Sequence, residues 1–352
     1  MSQQRTSPPE AGTVSPHGMA GQAVLPLEEP KAGRNPLKIG SLGVLILFAL
    51  LYPQLFTLSY EQHVAILICM NALMAVAWNI LGGYTGQVSL GNTIFFGVGA
   101  YTDAILLKNF LISPWAGMLV GIVLSVLLAV AVGHPTFRLK GHYFAIATIA
   151  VGEILSTIVT NTGYLGAAVG ITLPILPESW INMEFNDLDK APYYYIILAF
   201  LAIAMLTVHA IERSKLGFYF RAIREDPDAA RALGVNITNY KLLAFILSAI
   251  FTSIAGTFYA QYILFVDPGS TIYLMLSITM CLMAVLGGIG TLWGPLIGAT
   301  VLVAISESTR VMMGGTGNAI DLVIYGFLVV AIAVYQPNGL MGLISKINRR
   351  KG

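Results

Sequence analysis

Five acidic side chains stand in or beside long apolar runs: Glu61, Asp103, Glu153, Glu307 and Asp321. An ionisable group at such a place is a functional candidate by default, because burying its charge is costly unless it meets a partner or water. None of the five has the spacing of a nucleophile and base, of paired catalytic carboxylates, or of an HExxH metal site. The five histidines are scattered. The two cysteines, Cys69 and Cys281, both lie in apolar runs and read as packing residues rather than a disulfide or a metal pair. The sequence therefore argues against an enzyme and gives no reason to expect a metal or cofactor in this chain. What remains is a solute path or a gate. Glu153 is set deepest in its run and reads either as the partner of another buried group or as a pathway residue. A second polar set, Gln87, Ser89, Asn92 and Thr93, falls in the glycine-rich stretch GGYTGQVSLGNTIFFGVGAY over 82–101. Such groups must face protein or a cavity, so the stretch is either tight helix packing with satisfied polar atoms or the lining of a path. It is not a phosphate loop, since no Gly-Lys-Ser/Thr follows.

These residues are carried by a membrane protein. The chain of 352 residues is 56% hydrophobic and 10% charged, against about 25% charged for soluble domains. The fold class that follows is all-α and polytopic, with about ten transmembrane helices. The stretches are 39–58, 63–81, 88–108, 115–133, 142–161, 191–211, 241–265, 271–289, 293–310 and 319–336, most close to the length of about 20 residues that crosses a bilayer. Those at 88–108, 271–289 and 293–310 contain or abut glycines and are expected to be broken or re-entrant, which protein or a water-filled cavity must then cover. Residues 1–38 are rich in Pro, Gly, Ser and Gln and read as a disordered tail. They lack the apolar core of a signal peptide. A net charge of +2 points to no nucleic-acid partner.

Charge placement gives the orientation. Arg34 and Lys38 precede the first stretch, His134, Arg138 and Lys140 follow the fourth, five basic residues follow the sixth, and Lys346, Arg349, Arg350 and Lys351 close the chain. An even number of spans puts all four groups on one side, the cytoplasmic one, with both termini there. The loop 162–190, bearing Glu178, Glu184, Asp187 and Asp189, falls outside.

The most charged segment is then a cytoplasmic loop, 212–240, and it contains a helix with a signal at each end. Asp226 is suited to accept from free backbone N–H groups as N-cap, Pro227 fits the first helical position, Asp228 faces the positive end of the dipole, and Gly234 suits the position just past the end. Two turns of helix are marginal in isolation, so the segment reads either as an ordinary amphipathic connector or as a docking element. Three classes stay open on residues alone: the membrane subunit of a pump driven by a separate ATPase, a secondary transporter or channel for small polar solutes such as urea or amides, and, weakest, an intramembrane enzyme.

The run Asp228–Gly234, DAARALG, resembles the EAA-x-x-x-G coupling motif of ABC importer permeases, with Asp228 in place of Glu. The longer string RAIREDPDAARALGVNITNYKLLAF (221–245) is similar to the LivM-type permeases of branched-chain amino acid importers. So are GYTGQVSLGNTIFFGVGAY (83–101), FRLKGHYFAIATIAVGEI (137–154), VLGGIGTLWGPLIGA (285–299) and YQPNGLMG (335–342). The resemblance covers 39–345 and leaves out the tail and the basic end at 346–352. It implies a permease of the bacterial inner membrane paired with a LivH-type permease, two cytoplasmic ATPase subunits that hold ATP and Mg, and an external binding protein. It makes 226–234 the coupling helix, with Ala229 and Ala230 as a close-docking surface and Arg221, Arg224 and Arg231 facing acidic groups of an ATPase. Branched-chain or other neutral amino acids are the implied cargo. Gln87, Ser89, Asn92 and Glu153 are the pathway candidates, and the glycine-rich part of the outer loop, 162–174, is placed at the outer mouth.

Overall fold

The structure is a computed structural model and describes residues 47–139, 141–185, 190–312, 326–327 and 339–342. The tail 1–38, Asp321 and the basic end 346–352 lie outside the described residues, as does most of the stretch 319–336. The chain forms two compact units, 1–49 and 50–352. Of the first, residues 47–49 are described and are helical; in the second, 50–55 are helical.

The larger unit continues with α1 (Ser59–Gly82), α2 (Thr93–Phe110), α3 (Pro114–Thr136) and α4 (His142–Asn161). After a long loop come α5 (Ala191–Arg213), the short pair α6 (Lys215–Glu225) and α7 (Pro227–Ala232), and α8 (Ile237–Ile263). The chain then forms a single turn α9 (Pro268–Thr271), α10 (Leu274–Gly287) and α11 (Gly294–Met312). Among the described residues, six runs are long and apolar enough to cross a membrane: α1, α3, α4, α5, α8 and the α9–α10 run Pro268–Gly287. They coincide with six of the ten expected stretches. The stretches at 88–108 and 293–310 also form helices, α2 and α11, of 18 and 19 residues, each with two charged side chains.

The irregular backbone falls at the starts of the three glycine-bearing stretches rather than within them, and α2, α10 and α11 each run on unbroken past it. Residues 83–92 leave the helix between α1 and α2, residues 272–273 separate α9 from α10, and 288–293 separate α10 from α11. Most of the first of these breaks is buried, with Gly86 and Val88 exposed. The described residues are mostly helical, as expected, with one small addition. A two-residue strand β1 (Ile171–Thr172) pairs antiparallel with β2 (Phe265–Val266), Ile171 opposite Val266. The pairing ties the loop after α4 to the end of α8 and sinks Ile171 and Leu173 into a small apolar cluster with Ala104, Leu107 and Ala260.

α1 and α8 form the centre. Of their most apolar windows 78% and 67% are buried, against 33% for α3 and 22% for α4. α8 packs on α1, α2 and α3, and α1 also packs on α5, α10 and α11. Small residues allow the closest of these contacts. A Cβ added at Gly99 of α2 would stand 2.1 Å from the Ser253 carbonyl oxygen, and one at Gly256 of α8 would stand 2.0 Å from that of Phe96. The two backbones therefore touch, the arrangement that favours glycine where no aqueous drive holds helices together.

Candidate coupling site

The expected helix forms, and both of its ends are chemically closed. Asp226 Oδ1 accepts from the backbone N–H of Asp228 at 2.9 Å and of Ala229 at 3.0 Å, and Pro227 occupies the first turn. At the far end the Val235 N–H donates to the Ala230 carbonyl and the Gly234 N–H to that of Arg231. This paired closure requires a left-handed residue, and Gly234 has φ +84°. Ala230 turns inward and is buried with Ile223 of α6 and Ile237 of α8. Asp228, Ala229 and Arg231 face outward, and Leu233 at the tip is 85% exposed. The two alanines thus divide, one anchoring the helix and the other lying on its surface. Arg231 pairs with Asp228 at 3.3 Å on that surface.

The other two arginines are exposed and also make contacts within the chain. Arg221 folds back, donating from Nε to the Gly217 carbonyl and from Nη2 to that of Glu212, both at 3.2 Å. Arg224 reaches into the membrane unit, and its Nη1 donates to the Gly83 carbonyl at 2.8 Å. Gly83 begins the break after α1, and the same point touches the second break: a Cβ on Gly290 would lie 2.2 Å from Arg224 Nη1. Asn79, buried in the last turn of α1, joins the two breaks. Its Oδ1 accepts from the Gly290 N–H at 2.9 Å and its Nδ2 donates to the Thr291 carbonyl at 3.1 Å. Beside it the Tyr84 hydroxyl donates to Glu212 Oε1 at 2.6 Å. Burial, and after it this hydrogen bond, raise the Tyr84 pKa above the ordinary range, so the hydroxyl stays protonated. Sequence reading missed Asn79, although an amide within the apolar run 63–81, followed by two glycines, is a signal of a buried polar junction.

The pathway candidates separate. Ser89 and Asn92 are fully buried. The Ser89 carbonyl accepts from Trp78 Nε1 at 2.7 Å, and Asn92 Nδ2 donates to Ser248 Oγ at 2.8 Å, so the first break is sewn to α1 and α8. Gln87 is 8% exposed, with its amide oxygen buried and unpartnered among the described residues. Glu153 is exposed on α4. It lines a cavity of about 370 Å³ with Ser156 and Thr160 of α4 and the segment from Asp267 to Leu274. A larger cavity of about 700 Å³ lies among α1, α10 and α11, where Glu307 pairs with Arg310 at 3.0 Å. None of the four candidates other than Glu153 lines either cavity. Asp103 is fully buried and accepts from Gln261 of α8.

The sequence is similar to known proteins. The family model described as branched-chain amino acid transport system / permease component matches residues 62–333. The high-affinity branched-chain amino acid transport system permease protein LivM of Salmonella typhimurium is 27% identical over 299 residues, 79% of this chain and 69% of that protein. LivH of the same organism is 25% identical over 289 residues, 77% of this chain and 91% of that protein. Among solved structures, PsaBC from Streptococcus pneumoniae in complex with Fab is 16% identical at a TM-score of 0.43, covering 82% of this chain and 95% of that one. The match spans both glycine-rich breaks and the capped helix α7 alike, and the chain belongs to the branched-chain amino acid transport permease family.

Proposed function

We propose that this chain is one of two unlike permease subunits of an ATP-driven importer of branched-chain or other neutral amino acids. It sits in the bacterial inner membrane with both termini cytoplasmic. Its companions are a LivH-type permease, two ATPase subunits that bind ATP and Mg, and an external binding protein. The observation that carries this reading is the α6–α7 unit. A helix of six residues is held rigid by side-chain and backbone caps and one buried alanine, yet presents Ala229, Arg231 and Leu233 to solvent. A helix so short does not persist by propensity, and an exposed leucine at its tip is suited to a partner's pocket. The remaining candidate role is the path. Glu153, with Ser156 and Thr160, marks the face of α4 along which solute moves, while Gln87, Ser89 and Asn92 set the shape of the first break beside it.

The test is co-expression with the neighbouring permease and ATPase subunits, purification through this chain, and an ATPase assay beside an Ala229→Glu, Gly234→Pro variant. The substitutions place a charge on the docking face and forbid the φ of +84° at Gly234. The expected result is that the ATPases co-purify with the parent and are lost from a variant that still inserts. A chain that purifies alone, and takes up solute from an ion gradient without ATPase subunits, is a secondary transporter instead.

A further inference from the structure

The geometry points to Arg224 as the positioning residue that ties the coupling unit to both breaks in the helical bundle, so that a displacement of α7 is delivered to residues 83–92 and 288–293 together. Three observations meet at one place. Arg224 is the penultimate residue of α6, and Asp226, two residues on, caps α7, so its backbone moves with the coupling helix. Its guanidinium donates to the Gly83 carbonyl, where the first break starts, and its stem passes Gly86, whose added Cβ would lie 3.3 Å from Arg224 Cγ. The second break is bound at the same spot. Gly290 admits Nη1 because it has no side chain, and Asn79 holds its N–H. A guanidinium suits this task because it offers several donors in a fixed plane on a long stem. The contact joins residues 141 positions apart in sequence, and it joins a cytoplasmic helix to backbone free of helical bonding. Those breaks are the parts of the bundle able to change conformation without breaking a helix.

This inference rests on the importer reading, and the experiment separates the two. Arg224→Met keeps the stem and removes the donors; Arg224→Lys keeps a donor. Gly290→Ala disturbs the same contact from the membrane side. Each is assembled with its partner subunits in lipid nanodiscs and compared with the parent by hydrogen–deuterium exchange, and in proteoliposomes by solute moved per ATP hydrolysed. The expected result for Arg224→Met and Gly290→Ala is faster exchange over both 83–92 and 288–293, with the α2–α8 contact unchanged. Uptake per ATP falls about tenfold, within the usual range for coupling between sites, the ATPases remain bound, and Arg224→Lys recovers most of the loss. Unchanged exchange in either segment overturns the proposal. So does faster exchange with unaltered uptake per ATP, which makes the contact merely structural, and so does loss of the ATPases from Arg224→Met, which makes Arg224 a docking residue. A parent complex without ATP-driven uptake defeats the importer reading alone, and the exchange comparison still decides whether Arg224 holds the two breaks.

Discussion

Two carboxylates at the start of α7 stand two residues apart and do different work. Asp226 satisfies two backbone donors, and losing such a cap costs about 1 kcal/mol. For a six-residue helix that loss is decisive. Asp226→Ala is expected to fray α7 and to lower the yield of co-purified ATPase, with Asp226→Asn, which keeps the acceptor, close to the parent. Asp228 makes an exposed pair with Arg231, the two side chains 73% and 64% accessible, and such pairs contribute about 0–1 kcal/mol before screening. Asp228→Ala is expected to leave thermal stability unchanged in a melting curve. The cap was legible in the sequence because N-cap, proline and closing glycine act within a few residues of one another. The partner of Arg224 was not. A basic residue on a cytoplasmic loop reads as pointing outward, and nothing local shows that Gly83, 141 residues earlier, offers a carbonyl.

At the scale of elements, glycine has two uses that sequence alone does not separate: opening a helix and admitting another backbone. The stretch 82–101 shows both in turn. Gly86, with φ +71°, lies in the break, while Gly99 lies within α2 where α8 touches it. The breaks at 83–92 and 288–293 were legible as glycine-dense segments, whereas that at 272–273 has no glycine of its own. The β1–β2 pairing was not, because two residues per strand carry no alternation to read. The contact at Gly256 makes a direct test. A Cβ there meets the Phe96 carbonyl, backbone that no rotamer change can move aside. Gly256→Val is expected to force α2 from α8 and destabilise the detergent-solubilised protein by about 1–3 kcal/mol, the usual cost of overpacking. Gly163→Ala, with nothing within 4 Å of the added carbon, serves as the comparison and is expected to melt with the parent. Equal melting of the two variants would mean that α2 and α8 do not touch there.

At the scale of the whole molecule, the question is which surface of the bundle meets lipid. α3 and α4 are the two least buried spans, and their outward faces differ in kind. On α3 the exposed side chains include Leu119, Val123, Leu124 and Leu127, all apolar and suited to hydrocarbon. On α4 the exposed set mixes Ile146 and Ile154 with Glu153 and Thr157. Insertion scales put a charged side chain near the middle of a lipid-facing helix at a cost of about 2.5–3.5 kcal/mol, a cost that vanishes if the face is wet or covered by a second subunit. On the importer reading proposed above, the α4 face is where a partner subunit or an aqueous path would meet the bundle. With Cys69 and Cys281 replaced by alanine, single substitutions Glu153→Cys, Thr157→Cys, Val123→Cys and Leu127→Cys report the difference through a membrane-impermeant maleimide applied to the assembled complex. Labelling is expected at 153 and 157 and not at 123 or 127. If all four thiols stay unreactive, α4 lies against lipid or dry protein, Glu153 is held by a partner's side chain rather than by water, and the path runs beside the cavity between α1, α10 and α11 instead.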